Sequence, residues 1–246
     1  MMRLLLLAGT TDARRIAEGL RDAPGLKVIA SLAGATRAPR PMGVDTRIGG
    51  FGGRAGFVGF LEREGIGAVL DATHPFADAI SHRTHEVCAA HGLPCLQVLR
   101  PPWVAQPGDC WVDLAREEEA AEHVPHGARV FLATGRQTLE RFANLSRCDL
   151  TCRQIDPPEA PFPFANGRFL VGRPPFSVQD EVALFRELKI DWLIVKNAGG
   201  DASRSKLDAA RELGLPVGMI RRPPQPGGAR VETVAQALDW ARALVT

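Results

Sequence analysis

The stretch Arg3 to Leu20, RLLLLAGTTDARRIAEGL, sets the terms for the whole chain. Leu4 to Leu7 run into Ala8-Gly9-Thr10-Thr11-Asp12, after which the apolar spacing changes to Ile16, Ala17 and Leu20. A continuous apolar run followed by three-and-four spacing is a buried strand turning sharply into an amphipathic helix. Such a turn has the shape of a phosphate cradle. The dinucleotide fingerprint G-x-G-x-x-G asks for three glycines, however, and only Gly9 precedes this helix.

The same alternation recurs to the end of the chain and predicts α/β architecture. LKVIASLAG predicts a strand over 26–31, and the prolines and five glycines of ATRAPRPMGVDTRIGGFGG predict loop or a short irregular strand. RAGFVGFLEREG predicts a helix, and IGAVLDATHPF a strand with Asp71 at its carboxyl end. ADAISHRTHEVCAAHG predicts a helix closing at Gly92, and LPCLQVLRPP a strand stopped by its double proline. PPWVAQPGDCW continues neither period and reads as a crossover between domains, 1–101 and 102–246. In the second half ARVFLATG, CDLTCRQI, DWLIVKNAGG and LPVGMIRRPP are strand signals. RQTLERFANL, SVQDEVALFREL, SKLDAARELG and TVAQALDWARALV continue the rhythm as helices, and DPPEAPFPFANGRFLVGRPP is a Pro-rich loop. The expected fold is two small doubly wound, Rossmann-like parallel-sheet domains with a cleft between them. A single larger sheet is the competing arrangement.

Composition narrows the function. The 246 residues are 45% hydrophobic and 24% charged, enough for one large core or two small ones. A net charge of +2 is too near neutral to suggest a nucleic-acid or membrane partner by itself, and neither is expected. The first strand begins too early for a signal segment, and no apolar run reaches about 18 residues, so a cytoplasmic location is expected. The five cysteines are odd in number and lack C-x-x-C spacing, so they read as reduced packing residues. His82 and His85 have no third ligand at metal spacing and read as surface residues; no metal site is expected.

Ligands of open parallel sheets bind beyond the carboxyl ends of the strands, so the loops there carry the candidates. In the first, Gly9 permits a tight turn, Thr10 and Thr11 offer hydroxyls to a phosphate, and Asp12 serves as N-cap or first-turn residue; an ordinary capped turn is the alternative. The second strand ends at Ser31 with Arg37 close behind, where an NAD domain commonly has Asp or Glu. Hydroxyls and Arg there favour the 2'-phosphate of NADPH. In DATHPFA, Asp71 and Thr73 can satisfy N–H groups of the following helix and Pro75 can preset its first turn. His74 is left to donate a proton or merely to bond a neighbouring carbonyl. VKNAGG places Lys196, Asn197, Gly199, Gly200 and Asp201 in a polar turn suited to an anion, and LATGRQTL supplies a similar turn with Arg136.

LLLAGTTDARRIA, DATHPFA, LATGRQTL and VKNAGG, in this order and at compatible spacing, resemble the precorrin-6A reductase family of cobalamin biosynthesis over nearly the whole chain. The resemblance implies a two-domain enzyme that binds NADPH and transfers hydride to a carbon of a ring-contracted tetrapyrrole, giving precorrin-6B. A sister group acts on the cobalt-bearing macrocycle of the anaerobic route; Ser31 and Arg37 incline the reading to the metal-free, NADPH version. Arg40, Arg47, Arg136, Arg173, Lys196 and Arg204 lie in or beside the loops and form a candidate set for the substrate's carboxylate arms. Gly9, Thr10, Thr11, Asp12, Ser31, Arg37 and Thr73 are the candidate cofactor contacts, and His74 the candidate proton donor, with bulk water as the alternative. A methyltransferase using S-adenosylmethionine is a rival disfavoured by Ser31, and a non-catalytic nucleotide sensor would not need both DATHPFA and VKNAGG. The oligomeric state is left open, a monomer being compatible.

Overall fold

The computed structural model describes residues 1–34 and 39–245. Along the first part of the chain lie β1 (Met2–Leu7), α1 (Thr11–Leu20), β2 (Leu26–Leu32), β3 (Asp45–Ile48), α2 (Gly53–Arg63), β4 (Ala68–Asp71), α3 (Asp78–Ala90) and β5 (Cys95–Val98). Then come β6 (Cys110–Leu114), β7 (Arg129–Leu132), β8 (Asp149–Gln154), β9 (Gly167–Val171), α4 (Val178–Glu187), β10 (Trp192–Lys196) and α5 (Ser205–Glu212). β11 (Pro216–Ile220), β12 (Arg230–Val231) and α6 (Val234–Ala243) complete the order, and 3-10 helices cover Glu117–Glu122 and Arg136–Phe142. Two compact units result: Met1–Pro101 with Pro223–Thr246, and Pro102–Arg222.

The first unit is built on a six-stranded sheet in the order β12-β5-β4-β1-β2-β3, every described pairing parallel. β1 lies at its centre, with Leu5 opposite both Ile29 and Val69, which is why its sequence is apolar at every position that faces a helix layer. Successive residues point to opposite faces. Leu4 and Leu6 join a core with Ala13, Ile16, Ala17 and Leu20 of α1 and Ala237 and Ala241 of α6. Leu5 and Leu7 join the other core, with Phe57, Phe60 and Leu61 of α2 and Val87 and Cys88 of α3. The sheet is therefore doubly wound. Gly19 lets α6 lie close on α1, since a Cβ there would stand 2.8 Å from Leu238 Cδ2.

The second unit repeats the plan in the order β6-β11-β10-β7-β8-β9, again parallel throughout the described pairings. α4 and α5 cover one face, with Phe131, Val182, Phe185, Leu193, Leu207 and Met219 in their core. Val130 and Leu132 point to the opposite face from Phe131, and Leu139 and Phe142 of the second 3-10 helix are buried.

Three expectations are corrected. The span 102–246 is not one unit, because residues 223–246 return to the first sheet, where Arg230 pairs with Gln97 and Val231 with Val98. This return brings α6 over Leu96 and Val98, apolar residues in the same core. The Pro-rich loop contains an edge strand, β9, whose pairing with β8 supplies the order that its local composition lacks. RQTLERFANL forms a 3-10 helix interrupted at Thr138 rather than an α-helix. Among the described residues, no helix is long and apolar enough to cross a membrane.

Ala241 is fully buried between α1 and the sheet. Ala241→Asp should cost about 3 kcal/mol or more through an unpaired buried carboxylate, read as a lowered midpoint in urea unfolding of the full chain.

Candidate active site

Reading the first sheet as β3-β2-β1-β4-β5-β12, the winding direction reverses between β1 and β4. Loops leaving the carboxyl ends of two such strands diverge, and the opening between them is where such sheets take ligands. Gly9 leaves β1 with φ +135°, and nothing lies within 4 Å of the position a Cβ would take, so its backbone is bare on that side. Thr10 is the N-cap of α1: its Oγ1 accepts from the Ala13 N–H at 3.1 Å and donates to the Ala72 carbonyl at 2.8 Å. That hydroxyl, the one considered as a phosphate donor, ties the β1 and β4 loops together here. Asp12 is a first-turn residue and not the cap; its carboxylate pairs with Arg100 at 2.9 Å. What the turn offers an anion is the N–H groups of the first turn of α1 that Thr10 does not take, together with the positive end of the helix dipole, with Thr11 half-buried beside them.

Ser31 lies buried near the end of β2, and a guanidinium does reach it, but from Arg47 on β3. Arg47 donates to Ser31 Oγ at 2.7 Å, to the Gly49 carbonyl at 2.8 Å and to the Gly50 carbonyl at 3.0 Å. Its guanidinium lies 4.1 Å from the Phe51 ring centroid and 5.1 Å from that of Phe60. Burial, and then the like charge of Arg63, pull its pKa below the ordinary guanidinium value. These contacts hold the Arg47 guanidinium rigid with neutral acceptors and ring faces. Arg37 lies outside the described residues.

The DATHPFA loop is held from within. Buried Asp71 accepts from the Thr73 N–H at 3.0 Å, the Thr73 hydroxyl at 2.7 Å and the Ser81 hydroxyl at 2.5 Å. The Thr73 hydroxyl is therefore committed to Asp71, and neither residue caps α3, whose N-cap Ala77 makes no side-chain bond. Pro75 sits in a turn closed by the Ala77 N–H on the His74 carbonyl at 2.7 Å, ahead of the helix rather than in its first turn. His74 is exposed, and its Nδ1 accepts from the Phe76 N–H at 3.3 Å. The neutral ring then carries its proton on Nε2. Gln225, on the returning segment, donates to the Pro75 carbonyl at 2.9 Å and accepts from Gln97 at 2.9 Å.

In the second unit the corresponding switch point lies between β7 and β10. Asn197 is a clamp there: its Oδ1 accepts from the Trp103 N–H at 2.8 Å and its Nδ2 donates to the Trp103 carbonyl at 3.0 Å. The Trp103 indole donates to the Gly200 carbonyl at 2.7 Å, and Arg222 donates to the carbonyls of Asn197 and Ala198 at 2.7 and 2.9 Å. Gly199 and Gly200 take φ +67° and +74°, the left-handed region the turn requires. Lys196 pairs with Glu117 at 3.6 Å, and burial, opposed by Glu117, pushes its ammonium below the ordinary value. Arg136 and Asp201 are exposed. The amide of Asn197 is thus committed to structure, while Lys196 and Arg136 keep cations at the loop ends.

Among the described residues, no three His, Cys, Asp or Glu side chains are grouped to hold a metal ion. The sequence reading missed Arg100, Trp103 and Arg222, whose importance comes only from long-range pairing. It also passed over Arg153 and Gln154, which end β8 in TCRQI, and Lys206. A strand ending in two long polar side chains, unlike the small residues after its neighbours, was the available signal.

Asn197→Ala removes both bonds and leaves the Trp103 N–H and carbonyl without them. The loss should be about 2 to 4 kcal/mol in denaturant unfolding, with Asn197→Asp, which keeps the acceptor, losing less.

A family model described as "Precorrin-6x reductase CbiJ/CobK" matches residues 3–242. The precorrin-6A reductase of Rhodococcus erythropolis is 44% identical, covering 99% of each chain. That of Rhodobacter capsulatus is 44% identical over 98% of this chain and 96% of its own. A solved structure, CobK precorrin-6A reductase, superposes with a TM-score of 0.93 at 43% identity, covering 98% of this chain and 96% of that one. The chain belongs to the precorrin-6x reductase family, CbiJ/CobK.

Proposed function

We propose that the chain is a nicotinamide-dependent reductase of cobalamin biosynthesis that reduces precorrin-6A to precorrin-6B. The observation that carries the reading is the bare glycine turn at the β1/β4 switch point, in a chain of this family. The turn suits a pyrophosphate: N–H groups at the start of α1 face it, and Asp12, the acid that would repel it, is matched by Arg100. Arg47 and Ser31 suit the 2'-phosphate of NADPH, the role first considered for Arg37. When bound, the reduced nicotinamide supplies a hydride.

The chain's own residues do the rest. Gly9 and the first turn of α1 hold the cofactor's phosphates, and Arg47 fixes its adenosine end. Lys196 and Arg136, at the strand ends of the second unit, are cations of the kind that a carboxylate arm of the macrocycle needs. His74 is exposed, and as the imidazolium, which gives up the Nδ1 bond from the Phe76 N–H and returns to the neutral ring on donation, it is the donor considered for the carbon beside the reduced one. The likeness to relatives named for the metal-free substrate favours that macrocycle over its cobalt-bearing counterpart.

The test is loss of reduced-nicotinamide absorbance on adding precorrin-6A, with cobalt-precorrin-6A and NADH as comparison arms; no absorbance change with any pair sinks the reading. Arg47→Leu should lower NADPH affinity relative to NADH by about tenfold to a hundredfold, as expected for one charge-assisted bond. Using the ratio cancels any general loosening of the loop, and an unchanged ratio removes Arg47 from the 2'-phosphate site. His74→Ala should lower kcat by about a hundredfold and flatten the pH profile. Near-normal turnover assigns the proton to water.

A further inference from the structure

The turn that carries His74 meets its backbone groups mostly from nearby. The Ala72 N–H donates to the Leu7 carbonyl at 2.9 Å, the Ala77 N–H to the His74 carbonyl at 2.7 Å and the Ser81 N–H to the Ala77 carbonyl at 3.3 Å. The Phe76 N–H has a titrating side chain for its partner, His74 Nδ1 at 3.3 Å. That bond exists only while the ring is neutral, because Nδ1 of an imidazolium is itself a donor. A turn that relied on it would loosen in the very state from which His74 gives up a proton.

A further anchor comes from 150 residues along the chain. Gln225 Nε2 donates to the Pro75 and Pro223 carbonyls, both at 2.9 Å, and Gln225 Oε1 accepts from Gln97 Nε2 at 2.9 Å. Both amide hydrogens are in use, so the amide plane cannot turn without breaking a bond. Its supports are rigid. Gln97 lies on β5 in register with Asp71 of β4, and Gln225 sits in the strap Pro223-Pro224-Gln225-Pro226, whose prolines have a fixed φ and no N–H. The strap is tied down on both sides of Gln225: His82 Nε2 donates to the Pro224 carbonyl at 3.0 Å and Arg230 to the Pro226 carbonyl at 2.9 Å. Pro75 is buried and next to His74 in the chain, so holding its carbonyl fixes the point from which the imidazole projects. Unlike the Phe76 bond, this one is the same whether His74 is charged or neutral.

We propose that Gln225 is a positioning residue for proton delivery, holding the His74 turn in place while the imidazolium has released Phe76. Keeping the strap in place needs only the Pro223 and Gln97 bonds; the bond to Pro75 reaches the loop that bears the donor. The catalytic consequence rests on the reductase reading with His74 as donor, whereas the grip on the turn rests on the hydrogen bonds alone.

The experiment uses the full chain, isotopically labelled for NMR, with turnover read as loss of reduced-nicotinamide absorbance on precorrin-6A. In the wild-type chain the Gln225 side-chain amide hydrogens should exchange slowly with solvent, and His74, at a pH where its ring is neutral, should carry its proton on Nε2 alone. Gln225→Met removes the bonds of the amide, and Gln225→Glu keeps an oxygen for Gln97 but offers Pro75 no donor. Each should bring both neutral forms of the His74 ring into mixture and lower kcat about tenfold, with KM for precorrin-6A and nicotinamide affinity within about twofold of wild type. In a His74→Ala chain, adding Gln225→Met should change kcat by less than about twofold, as for two residues that act as a unit. An unmoved His74 ring in both variants overturns the proposal. So does a kcat loss that persists in full on His74→Ala, or a raised KM with kcat unchanged, since either marks a merely structural role. Should neither variant fold, the wild-type exchange decides, and a fast-exchanging Gln225 amide overturns the proposal. If His74→Ala turns over normally while the ring still moves in the Gln225 variants, the grip on the turn is retained and the proton-donor reading is removed instead.

Discussion

Parallel pairing is the constraint from which the rest of this structure follows. Neighbouring parallel strands cannot be joined by a tight turn, so each pair needs a crossover, and the helices that make the crossovers must bury both sheet faces. The chain meets this twice with the same order, and in each sheet one edge place is taken by a strand outside the five-strand run. β6 fills it beside β11 before the second run begins, and β12 fills it beside β5 after that run has ended. Because the chain passes between units at two places, the first sheet is complete only once β12 has been made, after the whole of the second unit.

The side chains around the loops divide their labour. Short polar groups that look available for ligands are turned inward: Thr10 onto Ala72, Thr73 and Ser81 onto Asp71, Asn197 onto Trp103. They set loop shapes, so that backbone N–H groups at the starts of α1 and α5 are presented without rearrangement. Longer charged side chains rest on neutral supports, Arg47 on carbonyls and phenyl rings and Lys206 on a carbonyl. Loops held by a rigid frame of short polar side chains need little ordering when a ligand binds.

Much of this is legible in the sequence. Leu4 to Leu7 and the spacing of Ile16, Ala17 and Leu20 contain enough local information to mark β1 and α1, because burial on both faces or on one helical stripe leaves a period in the sequence. β9 and β12 left none. GRFLV is short and flanked by proline, and Arg230–Val231 is only two residues long, so both exist through the strands beside them. The site divides in the same way. Loop positions followed from strand ends, but which hydroxyl faces a ligand and which faces a carbonyl depends on contacts far apart in the chain. Thr10 and Ala72 are 62 residues apart, and Trp103 and Asn197 are 94. Arg47 lay in the candidate set for another reason, and only its bond to Ser31 brings it to the end of β2.

Trp103 and Arg222, which stand just inside the two boundaries of the second unit, are both fastened to the Asn197–Gly200 turn. A segment whose two termini are anchored at one spot has the topology of an insertion, with 1–101 and 223–246 as its host. Such a segment is exchangeable by genetic grafting: a replacement needs only closely placed ends, and the host keeps its own sixth strand and closing helix.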